Sequence, residues 1–112
     1  MTVAHLQAFK AEFFRALAHP VRIRILEVLA GGERTVHELQ HALGLEQPVV
    51  SQQLAVLRGK NIVTTRKEGT RVNYALGDPL ITDLLRTARE IFNHQLAGTR
   101  TLLKELQKER RR

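Results

Sequence analysis

The stretch EQPVVSQQLAVLR, residues 46–58, decides how the rest of the chain is read. Val50, Leu54 and Leu57 recur at helical spacing, and Pro48 suits a first helical turn, so the segment predicts a helix over about 47–58. Gln47, Val49, Ser51, Gln52 and Gln53 then look away from the core, near the N-terminal end. A face meant only for solvent would more often carry Lys and Glu, which are well hydrated and pair at i,i+4. This face carries no charge. Gln can pair with adenine, Ser can donate or accept, and a Val methyl can contact thymine, so the residues suit the edges of bases in a major groove. The plain alternative is a polar helix surface with no target.

Upstream, TVHELQHALG places Thr35 and Glu38 at capping-box spacing, turns Val36, Leu39 and Leu43 inward, and closes on Gly44. Two short helices separated by a few residues around Gly44 form the pattern of a helix-turn-helix. Before them, VRIRILEVLA predicts a helix with Val21, Ile25, Leu26 and Leu29 inward, ended by Gly31-Gly32. A first amphipathic helix over about 4–18 carries Leu6, Phe9, Phe13 and Leu17, widened by Phe14. His19-Pro20 stops it, because the residue before proline is pushed out of the helical region.

Downstream, IVTTRK and TRVNYAL are β-prone runs joined at Glu68-Gly69, a hairpin over about 62–76. From 58 to 71 the basic residues are Arg58, Lys60, Arg66, Lys67 and Arg71, against Glu68 alone. A basic hairpin directly after a helix-turn-helix reads as a wing whose Arg66, Lys67 and Arg71, with Arg58, reach phosphates or an adjacent minor groove. An edge hairpin protected by its charges is the alternative.

Composition narrows the partner. Lys and Arg number 18 against 11 Asp and Glu in 112 residues, a net charge of +7, which favours a polyanion. No apolar run approaches the ~20 residues of a membrane span, and MTVAHLQAFK lacks the apolar stretch of a signal peptide. The expectation is a soluble, cytoplasmic chain that engages no membrane. There is no cysteine, hence no disulfide, thiolate metal site or cysteine nucleophile. Aromatic residues make up only 4%, too few for a stacking platform for single strands. Without a glycine-rich phosphate loop or a nucleophile-base pair, no enzyme is expected.

The segment ALAHPVRIRIL, the run QPVVSQQLAVLR and the run VTTRKEGTRVNYAL together resemble the DNA-binding core of the ArsR/SmtB family of bacterial winged-helix repressors, over about Phe13–Leu76. The resemblance implies one mainly α, winged helix-turn-helix domain over 1–112, in the order α1-α2-α3-α4-β-β-α5. It also implies a homodimer that binds a near-palindromic operator in double-stranded DNA and answers a metal or another small signal. Ser51 and Gln53 occupy positions where the family often has Ser and His facing the groove; Glu46 stands where a serine cap is common and is itself a poorer cap.

From Asp78-Pro79 a long helix, about 79–108, carries Leu80, Leu84, Ala88, Ile91, Leu96, Thr99, Leu102 and Leu106 on one side, broadened by Leu85, Phe92 and Leu103. This is more apolar surface than a small domain covers alone. Since the resembling family pairs its first and last helices, Phe9, Phe13, Ile91 and Leu102 are the expected dimer seam; the alternative is an ordinary core helix. Gly98 would bend or weaken this helix. The tail KELQKERRR is expected to fray and to add unspecific phosphate attraction or only solubility.

Sensing is less legible. Where the family often has two cysteines this chain has Thr35 and His37. At a second recurrent site Asp83 and His94 match, but Leu85 and Ala97 replace the other ligands, so nickel or zinc would have to be shared across a dimer, with His5 as a further donor. His37 and His41, four apart on one helical face, offer another chelating geometry or simply a polar surface. The function expected is a DNA-binding transcriptional regulator, a repressor, whose occupancy a metal ion or a partner protein changes. A winged-helix module for protein contacts with little DNA specificity is the alternative, and weak salt dependence would mark it.

Overall fold

The computed structural model describes residues 2–110. Along the chain lie α1 (Val3–Leu17), α2 (Pro20–Leu29), α3 (Val36–Leu43), α4 (Gln47–Gly59), β1 (Val63–Glu68), β2 (Arg71–Leu76) and α5 (Leu80–Arg110). The described chain separates into two compact units, one ending at Ile81 and one beginning at Thr82.

The core of the first unit follows the helical periodicity. Ile25, Leu26 and Leu29 of α2, Leu39 and Leu43 of α3, and Val50, Leu54 and Leu57 of α4 are buried together with Ile62, Val63 and Ile81. Each helix end has a physical cause. The Thr2 hydroxyl accepts from the His5 N–H at 3.2 Å and starts α1. His19, which reads in the sequence only as a break, caps α2: its Nδ1 accepts from the Val21 N–H at 3.1 Å, with Pro20 in the first turn. The capping box of α3 is complete, and Gly44 ends that helix in the left-handed region at φ 67°. An Arg24 Nη2–H donates to the Leu43 carbonyl at 2.9 Å, setting a cation on the C-terminal end of α3.

The strands pair antiparallel in the register Val63 with Leu76 through Glu68 with Arg71. The turn is therefore Gly69-Thr70, one residue later than the Glu68-Gly69 expected. Only its first residue needs positive φ, 65° at Gly69, which is the preference of a two-residue hairpin turn with glycine first. The hairpin is tied down at its base. Arg34 exchanges both backbone hydrogen bonds with Tyr74, at 3.0 and 2.8 Å, and the Gly77 N–H donates to the Ile62 carbonyl at 2.8 Å. Asn61 adopts φ 58°, and a Cβ on Gly77 would overlap its carbonyl oxygen. Gly77 is there because the two backbones touch.

Within the second unit α5 runs on as one uninterrupted helix through Gly98. The basic tail, expected to fray from Lys104, is helical as far as Arg110; Arg111 and Arg112 lie outside the described residues. No helix is long and apolar enough to cross a membrane among the described residues. Ile91 is 50% exposed and Leu102 63%, and Phe92, Leu96, Leu103 and Leu106 are exposed as well.

Candidate nucleic acid interface

α4 begins without a side-chain cap. Glu46 makes no such bond, and its carbonyl instead accepts from the N–H groups of Val49 and Val50 at 3.1 and 3.2 Å. With Val50, Leu54 and Leu57 anchored in the core, the remaining faces are set by geometry. Gln47, Val49 and Gln52 are exposed, while Ser51 and Gln53 are half-buried on opposite flanks. Ser51 belongs to a groove of about 430 Å³ between α4 and the wing, lined also by Leu54, Ala55, Arg58, Gly59 and Tyr74.

Gln53 is engaged within the fold. The Arg22 Nε–H donates to its Oε1 at 2.8 Å, and the Arg22 Nη1–H donates to the Ala16 carbonyl at 3.2 Å. An outward, unpaired Gln53 was the expectation; a guanidinium from α2 holds it at the side of the helix instead.

The wing differs from its expected state in the same way. Arg66 grips Glu33 with two hydrogen bonds, Nη2 to Oε2 at 2.7 Å and Nε to Oε1 at 3.3 Å, and reaches Glu68 at 3.2 Å. Arg71 donates to Glu38 at 3.1 Å. The arginines read as phosphate ligands thus carry carboxylate partners, and both pairings bind the wing to the residues around the start of α3. Lys67 and Arg58 are exposed. The Arg66 guanidinium beside Glu33 holds that carboxyl below its ordinary range. The Glu38 carboxyl is lowered first by the Thr35 backbone N–H, then by the Thr35 hydroxyl, and then by Arg71.

For metal, the described residues of one chain do not fit. No three His, Asp or Glu side chains converge among them. Asp83 and His94 stand eleven residues apart on α5, about 16 Å along the axis, and Asp83 pairs with Arg86 at 3.5 Å. His37 and His41 are exposed on α3, and His5 is exposed on α1. Of the expected seam, Phe9 is 69% exposed and Phe13 half-buried.

The model of the arsR family of bacterial regulatory proteins matches residues 19–65, from the cap of α2 into β1. An HTH-type transcriptional regulator of Mycobacterium tuberculosis, Rv0081, is 43% identical over 102 residues, 90% of each chain. The chain belongs to the arsR family. Membership makes it a transcriptional regulator, and the arsR winged helix-turn-helix accounts for the order of its elements. The crystal structure of Rv0081 superposes with a TM-score of 0.78 at 44% identity, over 84% of this chain and 95% of that one. The homodimeric winged helix-turn-helix DNA-binding domain of Mb0332 from Mycobacterium bovis gives a TM-score of 0.77 at 30% identity, over 85% of this chain and 88% of that one. A biofilm growth-associated repressor of Agrobacterium fabrum is 40% identical over 82 residues, 73% of this chain and 70% of the relative.

Proposed function

We propose that this arsR-family chain acts as a homodimeric repressor on a twofold-related operator in double-stranded DNA, with α4 in the major groove and the wing along the flanking backbone. The observation that carries it is the start of α4. Gln47, Val49 and Gln52 stand exposed and uncharged on the second helix of a helix-turn-helix, where base edges are read. Ser51 flanks them, Arg58 lines the groove between α4 and the wing, and the exposed Lys67 adds positive charge on β1. The repressor similarity supports the sign of regulation, and the Mb0332 similarity supports pairing.

Pairing has its own physical support. Phe9 on α1 and Ile91 and Leu102 on α5 are at least half exposed, more apolar surface than a lone chain keeps against water. A twofold pair would set two copies of α4 about one DNA turn, ~34 Å, apart. A zinc or nickel site built on Asp83 and His94 would need ligands from both copies, and a signal carried by a partner protein needs none.

Titrating the full chain against the DNA upstream of its own gene, at two salt concentrations, tests the reading. Tight binding whose affinity falls steeply with salt is expected, because neutralised phosphates release counterions. Binding that ignores salt and sequence would overturn the proposal and favour a winged-helix module for protein contacts. Repeating the titration with chelator and then with nickel or zinc separates a shared metal site from a partner-borne signal.

A further inference from the structure

We infer that Arg22 is a positioning residue that holds α1 against α4 and so sets the half-site spacing that a dimer accepts. The inference rests on the proposal of a homodimer with α4 in the major groove. Arg22 lies on α2, and its guanidinium joins the two other helices. Its Nη1–H donates to the Ala16 carbonyl, in the last turn of α1, at 3.2 Å, and its Nε–H donates to Gln53 Oε1 on α4 at 2.8 Å. The neighbouring carbonyls of α1 are taken by backbone, Arg15 by the Ala18 N–H at 3.1 Å and Leu17 by the His19 N–H at 2.8 Å. Arg22 completes that turn.

α1 has little else to fix it to the first unit. Of its 15 residues Ala16 alone is buried, with Glu12, Phe13 and Leu17 half-buried, whereas α4 sinks Val50, Leu54 and Leu57 into the core. Apolar contact has no direction, so one alanine and parts of three larger side chains restrain rotation of a helix weakly. A hydrogen bond has direction.

A second tie stands one turn back on α1. The Lys60 ammonium, on the C-cap residue of α4, is 3.6 Å from a Glu12 carboxylate oxygen. Gln53 and Lys60 are seven residues apart, ~10 Å along α4, so the two ties are separate points of attachment. One point lets a helix pivot; two resist it. The Glu12 pair is exposed and the weaker of the two, which leaves Arg22, part-buried, as the main tie. Because α1 carries Phe9 and Phe13 of the proposed seam, whatever fixes α1 to α4 also fixes the seam to the reading helix. Each base pair inserted between half-sites moves one of them by about 3.4 Å along the duplex and about 34° around it. A stiff link refuses such a duplex, and a loose one follows it.

Binding of the full chain to three duplexes built from its upstream operator tests the assignment: the natural pair of half-sites, the pair with one base pair inserted between them, and a single half-site. Wild type should prefer the natural spacing by about tenfold or more. Arg22→Ala should reduce that preference to about twofold, while binding the single half-site as wild type does and sedimenting as the same dimer. If Arg22→Ala does not fold, as judged by circular dichroism, Arg22→Lys combined with Glu12→Gln decides. Lysine keeps the charge but loses the planar fork that fixes two acceptors in one geometry, and the second change removes the charge facing Lys60, so the same loss of spacing preference is expected. A wild-type spacing preference in the variant that folds, or an affinity lowered equally for all three duplexes, would overturn the inference. Failure of the underlying reading looks different, because wild type itself would then bind the three duplexes without distinction.

Discussion

Arg71 of the wing donates to Glu38 Oε1, the same oxygen that accepts the Thr35 N–H in the capping box of α3. One carboxylate thus serves the start of a helix and the side of a hairpin, and Glu33 and Arg66 repeat the tie beside it. Both carboxyls are lowered by their donors, so in the folded state they stay ionised to lower pH than in the unfolded chain. Their stabilisation is present above the unfolded carboxylate pKa, ~4.3, and is lost as the pH falls through the lower folded values. Urea midpoints measured from pH 6 to pH 3 should fall more for wild type than for the E33Q/E38Q variant; parallel curves would show that these ties contribute nothing to stability.

On DNA, the charge of the wing should not be shared equally. Lys67→Ala is expected to flatten the dependence of log K on log salt by about 0.9, one phosphate contact, and to weaken all sequences alike. Arg66→Ala should flatten it less, since that guanidinium is already engaged by Glu33 and Glu68. Ser51→Ala or Gln52→Ala should instead cost about 1–3 kcal/mol on the operator and relax base choice while leaving the salt slope alone. Salt titrations of the four variants separate the two kinds of contact.

Gly77→Ala is expected to destabilise the first unit by about 1–3 kcal/mol, because the new methyl must displace the backbone of Asn61. A lowered urea midpoint with an unchanged slope would show it.

Gly98→Ala should act in the opposite direction. The position lies inside an exposed stretch of α5 with nothing near the added methyl, so helix propensity alone predicts a gain of about 1 kcal/mol. Thermal unfolding of the two proteins measures it; a loss would place another surface against Gly98.

The elements of this fold were legible because each carries its own local signal. Thr35 and Glu38 are three apart, Gly44 follows Leu43 directly, and the core residues of α4 repeat at helical steps. What escaped are the ties between elements. Arg22 and Gln53 are 31 positions apart, Arg66 and Glu33 are 33 apart, and no periodicity links such pairs. The sequence therefore showed Arg66, Arg71 and Gln53 as outward-facing residues, and it could not show that each already had a partner. The Arg34 pairing with Tyr74 was invisible for a further reason: it is made by backbone, which every residue has.

The fastening of the hairpin at its base also divides it in time. Tyr74 and Gly77 donate their amide hydrogens to Arg34 and Ile62, beside the buried Ile62 and Val63, whereas the far end is held by its own strand ladder and by the exposed ion pairs of Arg66 and Arg71. Amide hydrogens near the turn should therefore exchange with solvent deuterium long before those of Tyr74 and Gly77, and the wing should open from its tip while its root stays closed.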